Sequence, residues 1–143
     1  MKNTLTLLLG TAVILGLLFS LASAESDIKE GYDENTEITV SGTILEITHH
    51  MRGPVIVRLS SRGRVYNIKT APLWYLAKEN ITFVTGAQIE VMGSKYVGTD
   101  GNLYLMARQI KDPATGQTFV MRDSACRPLW WGDRRGGGPQ GTP

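Results

Sequence analysis

Between Glu37 and Arg122 short runs of β-branched and aromatic residues alternate with turns rich in glycine, asparagine and proline, and that spacing restricts the chain to a small all-β domain. Ile38, Val40 and Ile44 keep one two-residue phase through Gly42, after which Leu45 and Ile47 take the other. A phase slip beside a glycine predicts a bulged, curling first strand. Val55, Val57 and Leu59 mark a second strand, Ser61-Arg62-Gly63 a tight turn, and Tyr66 with Ile68 a third strand, so these two form a hairpin. Ala71 to Lys78 breaks the alternation: Pro72 suits a first helical turn, and Leu73, Leu76 and Ala77 supply the apolar side of one short helix. A fourth strand follows Gly86, with Ile89 and Val91 inward and its end near Gly93. Thr99-Asp100-Gly101-Asn102 then turns the chain into a fifth strand, Leu103 to Ile110, and after the loop Asp112 to Gly116 a short sixth strand runs from Thr118 to Arg122.

Ahead of this region, Lys2 precedes an apolar run from Leu5 to Leu21 that ends in Ala22-Ser23-Ala24. A positive start, an apolar middle and a small-x-small site are the parts of a secretory signal peptide, so residues 1–24 are expected to be removed on export. The other reading is an uncleaved anchor, because the run approaches the roughly 20 residues that span a bilayer. Residues 25–36 are acidic, with only Ile28 and Tyr32 to bury, and are expected to form a flexible leader. Residues 37–122 form the barrel domain, and 123–143 an extension ending in a disordered Gly/Pro tail. The chain carries 15 Lys+Arg against 13 Asp+Glu, a formal net charge of +2 that loss of Lys2 lowers to +1. Such a balance gives no general pull on nucleic acid or acidic lipid. Cys126 is the single cysteine, which excludes an internal disulfide and leaves packing to hold the fold. With no Cys-x-x-Cys pair beside it, an inert buried thiol is expected, the alternative being a free thiol that pairs with another chain.

A curled first strand, a hairpin, a helix and a closing hairpin follow the order of the five-stranded OB-fold Greek-key barrel, with one short helix between strands 3 and 4. Val40-Ser41-Gly42-Thr43-Ile44, the Gly86 to Ser94 segment and Tyr104 to Ile110 resemble the pattern of small exported bacterial OB-fold proteins of the cell envelope. The resemblance implies binding rather than chemistry, on the face of strands 2 and 3.

On that face the outward residues are expected to be Ile56, Arg58, Ser60, Val65, Asn67 and Lys69. Arg58, Asn67 and Lys69, with Trp74 and Tyr75 at the rim, suit a small charged ligand or a segment of anionic polymer. The same face offers no aromatic platform for stacking bases, which argues against single-stranded nucleic acid. His49, His50 and Met51 bring imidazole and thioether groups suited to copper, although neighbours on an extended strand point to opposite faces. Arg127, Trp130 and Trp131 in the extension suit docking to an envelope protein, a membrane appearing as partner only through an uncleaved signal segment. The alternative for this segment is packing of its indoles against the barrel wall. No Ser-His-Asp constellation, zinc-ligand spacing or phosphate-cradling loop is present, so no enzyme activity and no cofactor are expected. The place of work is expected to be the periplasm or the exterior.

Overall fold

The computed structural model describes residues 31–135; the expected signal peptide, the acidic residues 25–30 and the Gly/Pro tail 136–143 lie outside them. Six strands form: β1 (Glu37–Thr48), β2 (Pro54–Ser61), β3 (Arg64–Pro72), β4 (Gln88–Val97), β5 (Leu103–Lys111) and β6 (Thr118–Val120). A helix, α1 (Leu73–Lys78), joins β3 to β4. The sheet order β3-β2-β1-β4-β5 closes on itself through a parallel β3–β5 pairing, giving a five-stranded barrel with the OB-fold connectivity, and β6 adds to the outer edge of β5.

Alternation builds the barrel interior. Val55, Val57 and Leu59 on β2, Ile68 on β3, Val91 on β4 and Leu105 on β5 are all 0–1 % exposed and form one cluster with Ile44 and Ile110. The outward residues of the hairpin are those that strand phase predicts, since any other register would turn this apolar set to solvent. Arg62 and Gly63 both take positive φ, 48° and 75°, as a two-residue hairpin turn with right-handed strand twist requires.

The β1 slip lies where the change of phase puts it, between Ile44 and Glu46, with Leu45 looped out and 45 % exposed. Gly42, just before it, serves close approach: a Cβ there would sit 2.1 Å from the Ser60 carbonyl oxygen. Two local expectations are corrected. Gly93 does not end β4; it stands mid-strand at the register shift of the β4–β5 ladder, where a Cβ would meet the Met106 carbonyl oxygen at 2.2 Å. On α1 the inward residues are Tyr75 and Leu76, while Leu73 and Ala77 face solvent. Six residues are too few for a full amphipathic repeat, so docking to the barrel end selects the face. The helix stops in a Schellman arrangement with Asn80 at φ 55°, the Ile81 amide donating to the Leu76 carbonyl at 2.8 Å and that of Asn80 to Ala77.

The ordered chain also reaches further at both ends than the strands themselves. From Tyr32 on, the leader is pinned: a 3-10 turn at Glu34–Thr36 places the Asp33 amide and the Thr36 hydroxyl on Ser94 Oγ. The Tyr32 hydroxyl donates to Glu37, whose carboxylate also accepts from Arg108 Nη1 at 3.0 Å. Beyond β6 the chain folds back through a single bridge between Arg122 and Pro128, and a second short helix, α2 (Trp130–Arg135), follows. Met121 and Trp130 are 0 % and 8 % exposed and belong to the core cluster.

Candidate functional site

The outer face of the barrel carries one transverse row. Glu46 on β1 pairs with Arg58 on β2, Arg58 with Asn67 on β3, Asn67 with Tyr104 on β5, and Tyr104 with Tyr96 on β4. Residues directly opposite in a ladder share a face, so five strands deliver five side chains to one line. Lys69 lies on the same side of β3, two residues from Asn67.

Tyr96 and Tyr104 stack with ring centroids 5.3 Å apart and planes 13° from parallel. The Lys69 ammonium stands 5.2 Å and 5.3 Å from their centroids, within cation–π range. The Tyr104 hydroxyl donates to Asp100 Oδ2 at 2.6 Å, and the Asn102 amide and side chain also donate to Asp100. The Tyr104 hydroxyl and then the Asn102 amide hold the Asp100 carboxyl below its usual range, and Asp100 in turn raises the Tyr104 phenol. Gly98 makes room for this arrangement, since a Cβ there would meet the Tyr104 ring at 2.4 Å. Asn67 is oriented by donating to the Leu103 carbonyl at 3.3 Å. Arg58 donates to Glu46 at 2.9 Å, both side chains about half exposed. Such a surface pair contributes little and leaves Arg58 able to change partner.

These groups border an open cleft of about 590 Å³, floored by Ile56, Asn67, Lys69, Tyr96 and Tyr104, with Thr48 and His50 at one rim and Gly98 to Asp100 at the other. Arg58, Asn67 and Lys69 are therefore brought together as the sequence suggests. The premise that the face lacks an aromatic platform is overturned: Tyr96 and Tyr104 supply one from the β4–β5 hairpin. The signal was present, because a hairpin centred on Asp100 sets Tyr96 opposite Tyr104, but ending β4 at Gly93 hides it. The Tyr96 hydroxyl is buried with no hydrogen-bond partner among the described residues, a costly state in a protein interior.

The rim aromatics separate. Trp74 is 43 % exposed, but Tyr75 is buried and meets Trp130 at a centroid distance of 5.8 Å, so it plugs the barrel end and is not a ligand contact. Trp130 likewise belongs to the core rather than to a docking surface, whereas Trp131 is 54 % exposed. Arg127 is exposed and returns to Asp123 at 3.0 Å. His49, His50 and Met51 lie in the exposed loop after β1, and no group of three or more His, Cys, Asp or Glu able to hold a metal occurs among the described residues. Cys126 is buried at φ 61° with its thiol donating to Glu34 Oε1 at 3.1 Å; burial first, then Glu34, raises its pKa and keeps it a thiol.

Barrel and closing seam together define a closed five-stranded β-barrel of OB-fold connectivity that carries an aromatic–cationic outer face. The sequence model of the MamS/MamX magnetosome protein family matches residues 36–116, which covers all five barrel strands. The chain belongs to this family. No curated protein matches it. Among the described residues no helix is long and apolar enough to cross a membrane.

Proposed function

We propose that this chain is an exported, non-catalytic binding module of the magnetosome family, whose barrel face holds a small anion-bearing ligand or a segment of anionic polymer. One observation carries the reading: the Lys69 ammonium rests over two stacked tyrosines at the centre of the face. An anionic group meets Lys69 and Arg58, the flat body of the ligand lies on Tyr104, and Asn67 fixes its orientation. Aromatic faces and one or two fixed cations recognise a sugar-acid or similar repeat, without the dense basic lining that generic nucleic-acid binding needs. The signal-peptide pattern expected of residues 1–24 supports an exported role, and the near-neutral charge of the chain speaks against generic polyanion binding.

Calorimetric titration of the full chain with oligogalacturonate and with its neutral methyl ester tests this. The charged form should bind more tightly; Lys69→Gln should weaken it about tenfold and leave the ester unchanged, as expected for loss of one charge-assisted contact. Tyr104→Ala should weaken both forms. Equal binding of the two forms, or none of either, overturns the reading. The tyrosine pair also favours a second reading, stacking of single-stranded bases. Tighter binding of an oligothymidylate than of oligogalacturonate, lost in Tyr104→Ala, would establish that one instead.

A further inference from the structure

A second cleft, of about 770 Å³, lies between the β1–β2 loop, α1 and the C-terminal extension, and adjoins the first at His50, Pro54 and Lys69. Its walls are largely aromatic and apolar, with Trp74, Trp130 and Trp131 on them; His50 and Thr70 are polar, and its charged side chains, Arg52, Lys69 and Arg122, are all cationic. Among the described residues that line it there is no aspartate or glutamate. Arg122 sets the cleft apart from an ordinary apolar groove. The residue is 9 % exposed and has no carboxylate partner among the described residues. One nitrogen, Nη1, donates to the Cys126 carbonyl at 2.9 Å, the guanidinium lies 5.5 Å from the Tyr32 ring and 5.8 Å from that of Trp130, and Nε has no partner among the described residues. Among the described residues this buried guanidinium is held by one carbonyl and two ring faces, with no carboxylate to compensate its charge. Burial accordingly lowers its pKa, although arginine stays protonated.

We propose that this cleft is a separate binding site for a small organic anion with a flat apolar body, its carboxylate, sulfonate or phosphate directed to the Arg122–Arg52 side and its body between the tryptophans. Charge complementarity selects the anion: the described residues of the site gather positive charge without a carboxylate to neutralise it. The exposed indoles select the body, because flat apolar surface gains most against Trp74 and Trp131. The site goes beyond the strand face: its ligand needs neither Tyr96 nor Tyr104.

The test uses two probes with one body, 8-anilinonaphthalene-1-sulfonate and the uncharged N-phenyl-1-naphthylamine, followed by probe fluorescence and tryptophan quenching in the full chain. The sulfonate should bind at one saturable site, about tenfold more tightly than the neutral probe, as one charge-assisted contact provides. Arg122→Met should remove that preference. If Arg122→Met fails to fold by near-ultraviolet circular dichroism, Arg52→Gln, at an exposed position, should narrow the preference in its place. Trp131→Ala should weaken both probes, and Tyr104→Ala neither, which separates failure here from failure of the strand-face reading. Equal affinity for the two probes, or an unchanged preference in the arginine variants, overturns the proposal. So does co-sedimentation with anionic phospholipid vesicles that depends on Arg52 and Trp131 without competition from the sulfonate, which would make the surface a membrane contact.

Discussion

Single residues decide how the ends of the chain are tied to the barrel. Glu37 begins β1, and its carboxylate accepts from both Tyr32 and Arg108. The Tyr32 hydroxyl, and then Arg108, hold its pKa below the ordinary value of 4.5, while burial and Glu37 push the Tyr32 phenol far up. A carboxyl with a depressed folded pKa contributes stability that is present above its unfolded pKa and is lost as pH falls through the folded one. Urea unfolding should therefore show Glu37→Gln less stable than the parent at neutral pH, with the gap closing as pH drops below 4.5. A gap that stays constant with pH would show that Glu37 acts by shape and not by charge.

At the scale of elements, the extension after β6 is part of the barrel rather than an appendage. Met121 donates its amide to the Arg108 carbonyl at 2.8 Å and accepts from the Leu129 amide at 3.1 Å, so the segment is laced to β5 and then to itself. Trp130 caps the barrel end against Tyr75. Truncation after Gln117 removes both large buried side chains and should cost about 3 kcal/mol or more in chemical unfolding, the range of losing one or two core side chains. If the truncated chain kept full stability, the extension would be a free docking arm. α1 and this segment also explain why neighbouring aromatic residues have different fates: on a short helix one ring of each pair meets the barrel and the other faces water.

For the molecule as a whole, the parallel β3–β5 seam is what makes a barrel out of a sheet and what assembles the candidate site. Three register pairs, Asn67 with Tyr104, Ile68 with Leu105 and Lys69 with Met106, form it. The inward pair, Ile68 and Leu105, is fully buried, and the outward residues beside it carry the strand-face cleft. Leu105→Ala should lower stability by about 2–5 kcal/mol. It should also speed amide exchange at Asn67 to Lys69 before the rest of the barrel, because local opening follows the weakest seam. Uniform acceleration throughout the barrel would mean that the seam does not open by itself.

Strand alternation in Val55, Val57, Leu59, Tyr66 and Ile68 determined the hairpin, its register and therefore the outward placement of Arg58, Asn67 and Lys69, because burial of one face admits a single phase. The order of elements likewise determined the barrel class. What the linear pattern left open was every contact between segments distant in the chain. The register shift at Gly93 turns on two backbones approaching too closely for a Cβ, and the meeting of Tyr96 and Tyr104 with Lys69 turns on a seam joining β3 to β5. The choice of Tyr75 over Trp74, and of Trp130 over Trp131, depends on which ring the barrel end can cover. Local periodicity records whether a residue is buried, whereas its neighbours are set by closure, and only the tertiary structure contains that.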